Sequence, residues 1–173
     1  LASGAPHTVT SFVAMQGDTK SLSAGEVLPY LAELAFEDTR LAEARDWLLE
    51  WDGRFDPSSA RAVLYAHRWD NLVRNVFADE LGGDVQLVGG DREMWAIRCL
   101  LEEPENAWWD DTGTENVLET PDIILLRSFA EACDVAVKRH GAERAAWSWG
   151  DTHTATFVSK PLGQSGVGIF EAL

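Results

Sequence analysis

The sequence has few lysines and an excess of acidic residues, which limits what it can bind. Three of its 14 basic residues are Lys (Lys20, Lys138 and Lys160), against 29 acidic residues and a formal net charge of −15. Nucleic-acid binding requires clustered basic side chains that neutralise phosphates, so this charge argues against a nucleic-acid partner. It also argues against an anionic membrane surface. A solvated acidic surface without a partner is the simpler interpretation.

Long apolar runs and a cysteine framework are also lacking. No stretch approaches the roughly 20 apolar residues that span a bilayer, and no basic, signal-like segment begins the chain. The opening Leu1-Ala2-Ser3-Gly4 leads us to expect a piece of a longer chain. Cys99 and Cys133 lie in apolar, helix-like segments, and two cysteines do not make a framework. We expect them to be buried free thiols.

Metal-binding motifs are missing too. Asp151 and His153 would share one face of a strand, but zinc needs three or four ligands and no HExxH or CxxC occurs. Asp110, Asp111 and Glu115 could hold calcium weakly, although they lack the oxygen spacing of an EF-hand. Solvated loop acids are the favoured interpretation of these three residues.

No nucleophile motif is recognisable either. The chain does not begin with Ser, Cys or Thr, and Ser165 lacks the G-x-S-x-G context of a hydrolase serine. A turn residue is the better interpretation of Ser165. We therefore assign no catalytic, cofactor-binding or metal-ligating residue within residues 1–173.

What the sequence does contain is a mainly helical pattern, expected to form a single domain over residues 1–173. Capping residues and first-turn prolines mark the starts of the helices, and Gly or Pro marks their ends. Five helices are predicted: one after Asp18 or Thr19 with a kink or new start at Pro29, 39–50, from Asp56-Pro57 to Gly82-Gly83, from Asp91 to Pro104, and from Thr120-Pro121 to Gly141.

The last of these helices is expected to be the longest, with His140 as a cation at its negative end. Residues 1–15 and 154–158 have strand-like composition. The predicted fold class is mainly α, about five helices in an irregular bundle with short extended segments at both ends. Eight Trp, including the pairs Trp108-Trp109 and Trp147/Trp149, indicate core or domain-interface packing with hydrogen-bonded indole N–H groups.

Several short motifs occur in a shared order: Gln16-x-Asp18-x-x-Ser21-x-x-Ala24, Leu48-x-x-Trp51-Asp52-Gly53, a helix with Tyr65 and Trp69, Ala107-Trp108-Trp109, and Trp147-x-Trp149-Gly150-x-x-His153. Their order and spacing, over nearly the whole chain, resemble the penicillin acylase (penicillin amidase) family. One departure is Lys160, where the family often has His before Pro-Leu.

The resemblance implies that the parent protein is an N-terminal-nucleophile hydrolase, made as a precursor and cut into two subunits. The N-terminal Ser of the large subunit would attack an amide carbonyl, with its own α-amine as base. Residues 1–173 would be an interior helical segment of the large (β) subunit, inserted into an αββα hydrolase and inactive alone. Their partners would be the catalytic core and the small subunit of the same precursor.

The resemblance further implies a periplasmic or extracellular location, no cofactor in this segment, and possible calcium in the parent protein. The substrate would be an acyl amide, and a β-lactam side chain, an acyl-homoserine lactone or another amide all remain open. Within this segment Asp18 would cap a helix, Asp52 would close the turn after Trp51, and His153 would hydrogen-bond to a core strand. One alternative is a non-enzymatic helical interaction module, and another is a small metallohydrolase using Asp151 and His153.

Overall fold

Helices and their caps account for the regular structure of this chain, for which the computed structural model describes residues 6–83 and 85–155. The α-helices are α1 (Val9–Gln16), α2 (Leu22–Ala32), α3 (Thr39–Leu49), α4 (Ala60–Leu81), α5 (Asp91–Leu101), α6 (Pro121–His140) and α7 (Trp149–Thr152). Single 3-10 turns occur at Ala107–Trp109 and Arg144–Ala146. The described residues contain one isolated antiparallel bridge and no strand. The mainly α fold class is confirmed.

Helices α4 and α6 pack against each other and form the centre of the bundle. Their buried residues join those of α2, α3 and α5 in one apolar core, in which Trp109 and Phe129 are completely enclosed. At 22 residues α4 is longer than the 20 residues of α6, so the expectation that α6 is the longest helix is wrong. The ends of α6 are as predicted, with Thr120 as N-cap and Gly141 at φ +87° after its last turn.

Two helix starts differ from the prediction. The Ser59 hydroxyl caps α4 by accepting from the N–H of Ala62 at 3.2 Å, so the cap is not Asp56. Asp56 instead begins the turn before the helix, where its carbonyl accepts from the N–H of Ser59. Several residues with side-chain oxygens lie near this start, and the pattern alone does not choose among them.

Helix α2 shows the same kind of difference. Its N-cap is Ser21, whose hydroxyl accepts from the N–H of Ala24, rather than Asp18 or Thr19. Pro29 lies inside the helix, which continues past it to Ala32 instead of restarting there.

The described parts of the two predicted extended segments, residues 6–15 and 154–155, do not form strands. Residues 9–16 form α1, which begins with a capping box between Thr8 and Ser11 and buries none of its side chains. Phe12 and Val13 are exposed on it. Residues 154–155 form no strand, and 156–158 lie outside the described residues, as do Ser165 and Lys160.

The tryptophan prediction is confirmed for four rings. Trp51, Trp69, Trp109 and Trp147 are buried, and each indole Nε1–H donates to a backbone carbonyl. Trp95 is different, since 66% of it is exposed on α5. Within the described ranges no helix combines the length and hydropathy needed to cross a membrane.

Candidate functional site

Three of the sequence motifs, distant along the chain, meet in one place, which we call the motif junction (residues 16–24, 51–57 and 147–153). The first two blocks run side by side. The N–H of Ser21 donates to the carbonyl of Gly53 at 2.8 Å, and the N–H of Phe55 donates to the carbonyl of Thr19 at 3.0 Å. Between them lies the antiparallel bridge of Lys20 and Arg54.

The third block joins the junction through Pro57. The N–H of Gly150 donates to the Pro57 carbonyl at 2.8 Å, and the Ser148 hydroxyl donates to the same oxygen at 3.1 Å. The contact is close, because a Cβ on residue 150 would lie 3.1 Å from the Pro57 Cβ. The helical turn of α7 is thereby fixed against the loop that leads into α4.

Aromatic rings fill the interior of the junction. Phe55 contacts Trp51 and Trp149 edge-on, with ring centroids 5.1 and 4.9 Å apart. Tyr65 of α4 lies 4.9 Å from Trp51. Edge-on and tilted pairs of this kind add to the stabilisation from apolar burial. The Trp51–Asp52–Gly53 motif therefore anchors the junction to the central helix.

The aspartates of the junction have structural contacts. The Asp52 carboxylate accepts from the N–H of Arg54 at 3.0 Å and closes the turn after Trp51, as predicted. Asp18 accepts from the N–H of Lys20 and pairs with the Arg54 guanidinium at 3.0 Å. The expected role of Asp18 as a helix cap is wrong, because Ser21 has that role.

Asp151 and His153 do not lie on a strand. Asp151 is in the short helix α7, and His153 follows it with its ring stacked on Trp149, 4.8 Å away and nearly parallel. The described residues contain no group of three or more His, Cys, Asp or Glu arranged to hold a metal ion. The residues at this position do not fit a zinc centre.

Three acidic side chains of the loop at 110–119, those of Asp110, Asp111 and Glu119, form hydrogen bonds or ion pairs within the chain, unlike solvated acids. Asp111 pairs with the Arg127 guanidinium at 3.0 Å and accepts from the N–H of Gly113. Asp110 accepts from the N–H of Glu119, whose own carboxylate is buried and accepts from the Thr114 hydroxyl. Glu115 is exposed, as expected of a solvated loop acid. The described residues therefore do not bring Asp110, Asp111 and Glu115 together as a set of calcium ligands.

A hydroxyl group near a histidine occurs in the described part of the chain, but its surroundings do not suit a nucleophile and its base. The Ser11 hydroxyl lies 3.4 Å from Nδ1 of His7, but His7 is exposed and the hydroxyl donates to the Thr8 carbonyl in the capping box of α1. Cys133 is buried, and burial raises the pKa of its thiol to about 11, so it is not a thiolate at neutral pH. Cys99 is also free, but only half-buried, which differs from the expectation.

The sequence analysis missed a pair of histidines. Nε2 of His67 on α4 lies 3.0 Å from Nε2 of His140 at the end of α6. Burial, the neighbouring His140 and Arg139 lower the pKa of His67 to about 4. Burial and Arg139 also lower the pKa of His140. The lowered pKa favours the neutral form of His140 at pH 7, whereas the sequence analysis expected a cation at this helix end. Only packing of α4 on α6 reveals the pair, since the residues are 73 positions apart.

An apolar groove of about 550 Å³ lies on the other side of the bundle, where the end of α4 meets α5 and the 3-10 turn at 107–109. It is lined by aromatic and aliphatic side chains with polar residues at the rim, among them Phe77, Leu81, Trp95, Cys99, Leu100 and Trp108. Trp95 and Trp108, of which Trp108 belongs to the Ala107-Trp108-Trp109 motif, are exposed on this groove. A groove of this composition is typical of a surface that contacts another polypeptide or an apolar ligand.

The similarity of this chain to known proteins extends over almost its whole length. The family model for penicillin amidase matches residues 1–172. An acyl-homoserine lactone acylase QuiP of Pseudomonas aeruginosa is 32% identical over 88% of this chain and 20% of its own length. The QuiP of Pseudomonas putida is 30% identical over 88% of this chain and 21% of its own length. The chain thus spans about a fifth of these relatives. No solved structure gives a significant match.

Proposed function

Because this chain belongs to the penicillin amidase family, we propose that it is a helical segment of a hydrolase that cleaves an acyl amide bond. The parent enzyme would be much longer, since the chain corresponds to about a fifth of the QuiP acylases. The nucleophile, an N-terminal Ser exposed by cleavage of a precursor, would lie outside residues 1–173. The segment would stabilise the structure of the parent enzyme rather than take part in the reaction.

The motif junction carries this proposal. The motif residues of the junction form backbone hydrogen bonds, close turns and pack their rings. The N–H of Ser21, for example, donates to the Gly53 carbonyl, and that of Gly150 to the Pro57 carbonyl. A catalytic motif would instead leave a nucleophile or base directed into an open cleft. Residues with completed contacts at a meeting point of three chain segments support a structural role.

The chemistry of the parent follows from the proposed nucleophile. A serine hydroxyl activated by its own α-amine would attack the acyl carbonyl and release the amine. Donors outside this segment would stabilise the oxyanion. We further propose an N-acyl-homoserine lactone as substrate, supported by the names of the similar proteins. Like other exported family members, the enzyme would work in the periplasm or outside the cell.

The apolar groove supports a docking role within the same protein. Its exposed Trp95 and Trp108 offer a large apolar area, which is costly to leave in water. We propose that the catalytic core of the same precursor covers this groove. The segment would then contribute to the enzyme by packing against the core.

Expression of the full-length gene tests the proposal. We expect the product to cleave itself into two subunits, with an N-terminal Ser on the larger one, as N-terminal sequencing would detect. Replacement of that Ser by Ala should leave the precursor uncut and inactive towards an acyl-homoserine lactone. A full-length product that stays uncut but hydrolyses the lactone would contradict the proposed mechanism.

The non-enzymatic interaction module is the second candidate, and the same groove favours it. In that case the groove would bind a separate protein. A full-length product with neither self-cleavage nor hydrolysis of any acyl amide, and with the groove accessible to solvent, would favour this alternative.

A further inference from the structure

The most deeply buried charge of the described residues is Arg68, in the middle of α4. Its side chain is completely enclosed, and Nε, Nη1 and Nη2 have no hydrogen-bond partner within the described ranges. Burial lowers the pKa of this guanidinium to about 10, which leaves it charged at neutral pH. The interior of the bundle therefore contains a positive charge with several unused donors.

Six other arginines differ from Arg68 because they form ion pairs within the described residues. Arg127, which is 30% exposed, pairs with Asp111 at 3.0 Å and lies 3.9 Å from Glu119. The ion pairs found in the described residues include Arg40, Arg45, Arg54, Arg61, Arg98 and Arg127, but not Arg68. Arg74, Arg92, Arg139 and Arg144 also lack an ion pair in the described residues, but they are at least partly open to solvent, whereas Arg68 is enclosed. An unpaired charge costs more when it is buried.

A second unused donor lies one helical turn away. The Tyr65 hydroxyl is buried and has no hydrogen-bond partner in the described residues. Residues three apart on a helix share a face, so Tyr65 and Arg68 lie on the same side of α4. Burial raises the pKa of the Tyr65 hydroxyl, and the nearby Ser23, on the first turn of α2, partly opposes that shift. The neighbourhood offers donors and the start of a helix, where negative charge is favoured.

We propose that Arg68 and Tyr65 form a buried site for one anionic group, either a carboxylate or a small inorganic anion such as chloride. Water could accept hydrogen bonds from these donors, but it would leave the charge of the guanidinium unbalanced. An anion satisfies both the donors and the charge. The group is either an Asp or Glu side chain from elsewhere on the polypeptide or an ion taken from solution.

Two substitutions of nearly equal length test the site in the full-length protein. Arg68→Lys keeps the charge and Arg68→Met removes it. If a carboxylate of the polypeptide faces residue 68, we expect the Met variant to unfold at a temperature several degrees below that of the Lys variant, because removing one partner strands the other. A free ion would leave together with the charge, so that case is identified by its dependence on chloride. A Met variant at least as stable as the Lys variant, in a protein whose unfolding temperature does not respond to chloride, overturns the proposal.

Chloride distinguishes the two sources. The unfolding temperature of the unaltered protein is measured over a series of chloride concentrations, with gluconate holding the ionic strength constant. A rise with chloride that the Met variant lacks assigns a free ion, because only the folded site binds it. No response to chloride, together with a more stable Lys variant, assigns a carboxylate of the polypeptide.

Tyr65→Phe covers the case in which neither variant of Arg68 folds. It removes one donor and preserves the ring packed on Trp51. A lower unfolding temperature supports the site, because a bonded hydroxyl is lost. An unchanged or higher unfolding temperature contradicts it, because an unused buried hydroxyl is destabilising and its removal costs nothing.

Discussion

The backbone N–H of Gly150 donates to the carbonyl oxygen of Pro57 across 2.8 Å, and this bond joins α7 to the loop before α4. A methyl group on residue 150 would lie 3.1 Å from the Pro57 Cβ and 3.4 Å from its carbonyl oxygen. Real Cβ atoms seldom come so close to their neighbours, and the nearest neighbour here is a Cβ that the proline ring holds to the backbone. The glycine between Trp149 and Asp151 is therefore required by close approach.

Gly150→Ala should destabilise the protein. The added methyl forces Pro57 to shift or the hydrogen bond to lengthen, at about 1–2 kcal/mol, as for other cases of overpacking. Chemical denaturation of the full-length protein measures this. Gly25→Ala is the matched control, because nothing lies within 4 Å of a Cβ at that helical position. It should stabilise α2 by about 0.5–1 kcal/mol. Equal effects of the two substitutions would contradict the account.

Ser21→Ala should cost more stability than Asp18→Ala. Ser21 caps α2 through the N–H of Ala24, and loss of such a cap costs about 1 kcal/mol. Asp18 forms a solvent-exposed pair with Arg54, and such pairs contribute about 0–1 kcal/mol. Denaturation midpoints of the two variants give the comparison. A larger effect for Asp18→Ala would show that Asp18 has a role beyond the exposed pair.

The His67–His140 pair should make stability depend on pH in the acid range. The pKa of His67 is about 4 in the folded protein and 6.5 as an ordinary value, so the unfolded chain binds the proton more readily. Its contribution is complete above about pH 7 and falls as the pH drops towards 4, by about 3 kcal/mol in all.

Denaturation at several pH values checks this. His67→Gln should give a flatter dependence between pH 7 and 4 than the unaltered protein, since glutamine does not titrate. His7→Gln, which changes an exposed histidine on the N-terminal side of α1, serves as the control. If His67→Gln leaves the slope unchanged, the pair does not titrate as described.

Alkylation of the two cysteines should report on the apolar groove. Cys99 lines the groove and is half-buried, whereas Cys133 is on the buried face of α6 and has a raised thiol pKa. In the 173-residue chain alone, iodoacetamide should label Cys99 much faster than Cys133. In the full-length protein, Cys99 should become protected if the catalytic core covers the groove. Mass spectrometry of peptides measures both rates, and rapid labelling of Cys99 in the full-length protein would contradict the proposed docking.

The helical pattern of the sequence was sufficient to predict most of the fold. The presence of helices α3 to α6 and the Thr120-Pro121 start of α6 follow from the sequence because helix periodicity and capping are local. The starts of α2 and α4 were misplaced by about three residues, because Ser21 and Ser59 compete with nearby acidic and hydroxyl residues. The prediction of an extended segment is wrong for residues 9–15, which are helical. Their β-branched residues have strand propensity, but Thr8 and Ser11 form a helix cap.

The candidate site was harder to predict. Asp52 could be assigned to its turn because the turn is local. The contact between Gly150 and Pro57, the His67–His140 pair and the enclosed Arg68 each depend on packing between distant segments, which periodicity does not reveal. The sequence showed that the three motif blocks belong together, but not that they meet at one junction.

The most direct test of the central claim is hydrolysis of an N-acyl-homoserine lactone by the 173-residue chain and by the full-length protein, each purified and assayed in parallel. Release of the free amine can be followed with an amine-reactive fluorophore. We expect turnover by the full-length protein and none by the chain alone, because we propose that the nucleophile lies outside residues 1–173. Turnover by the chain alone would place the nucleophile within it and contradict the structural role proposed here.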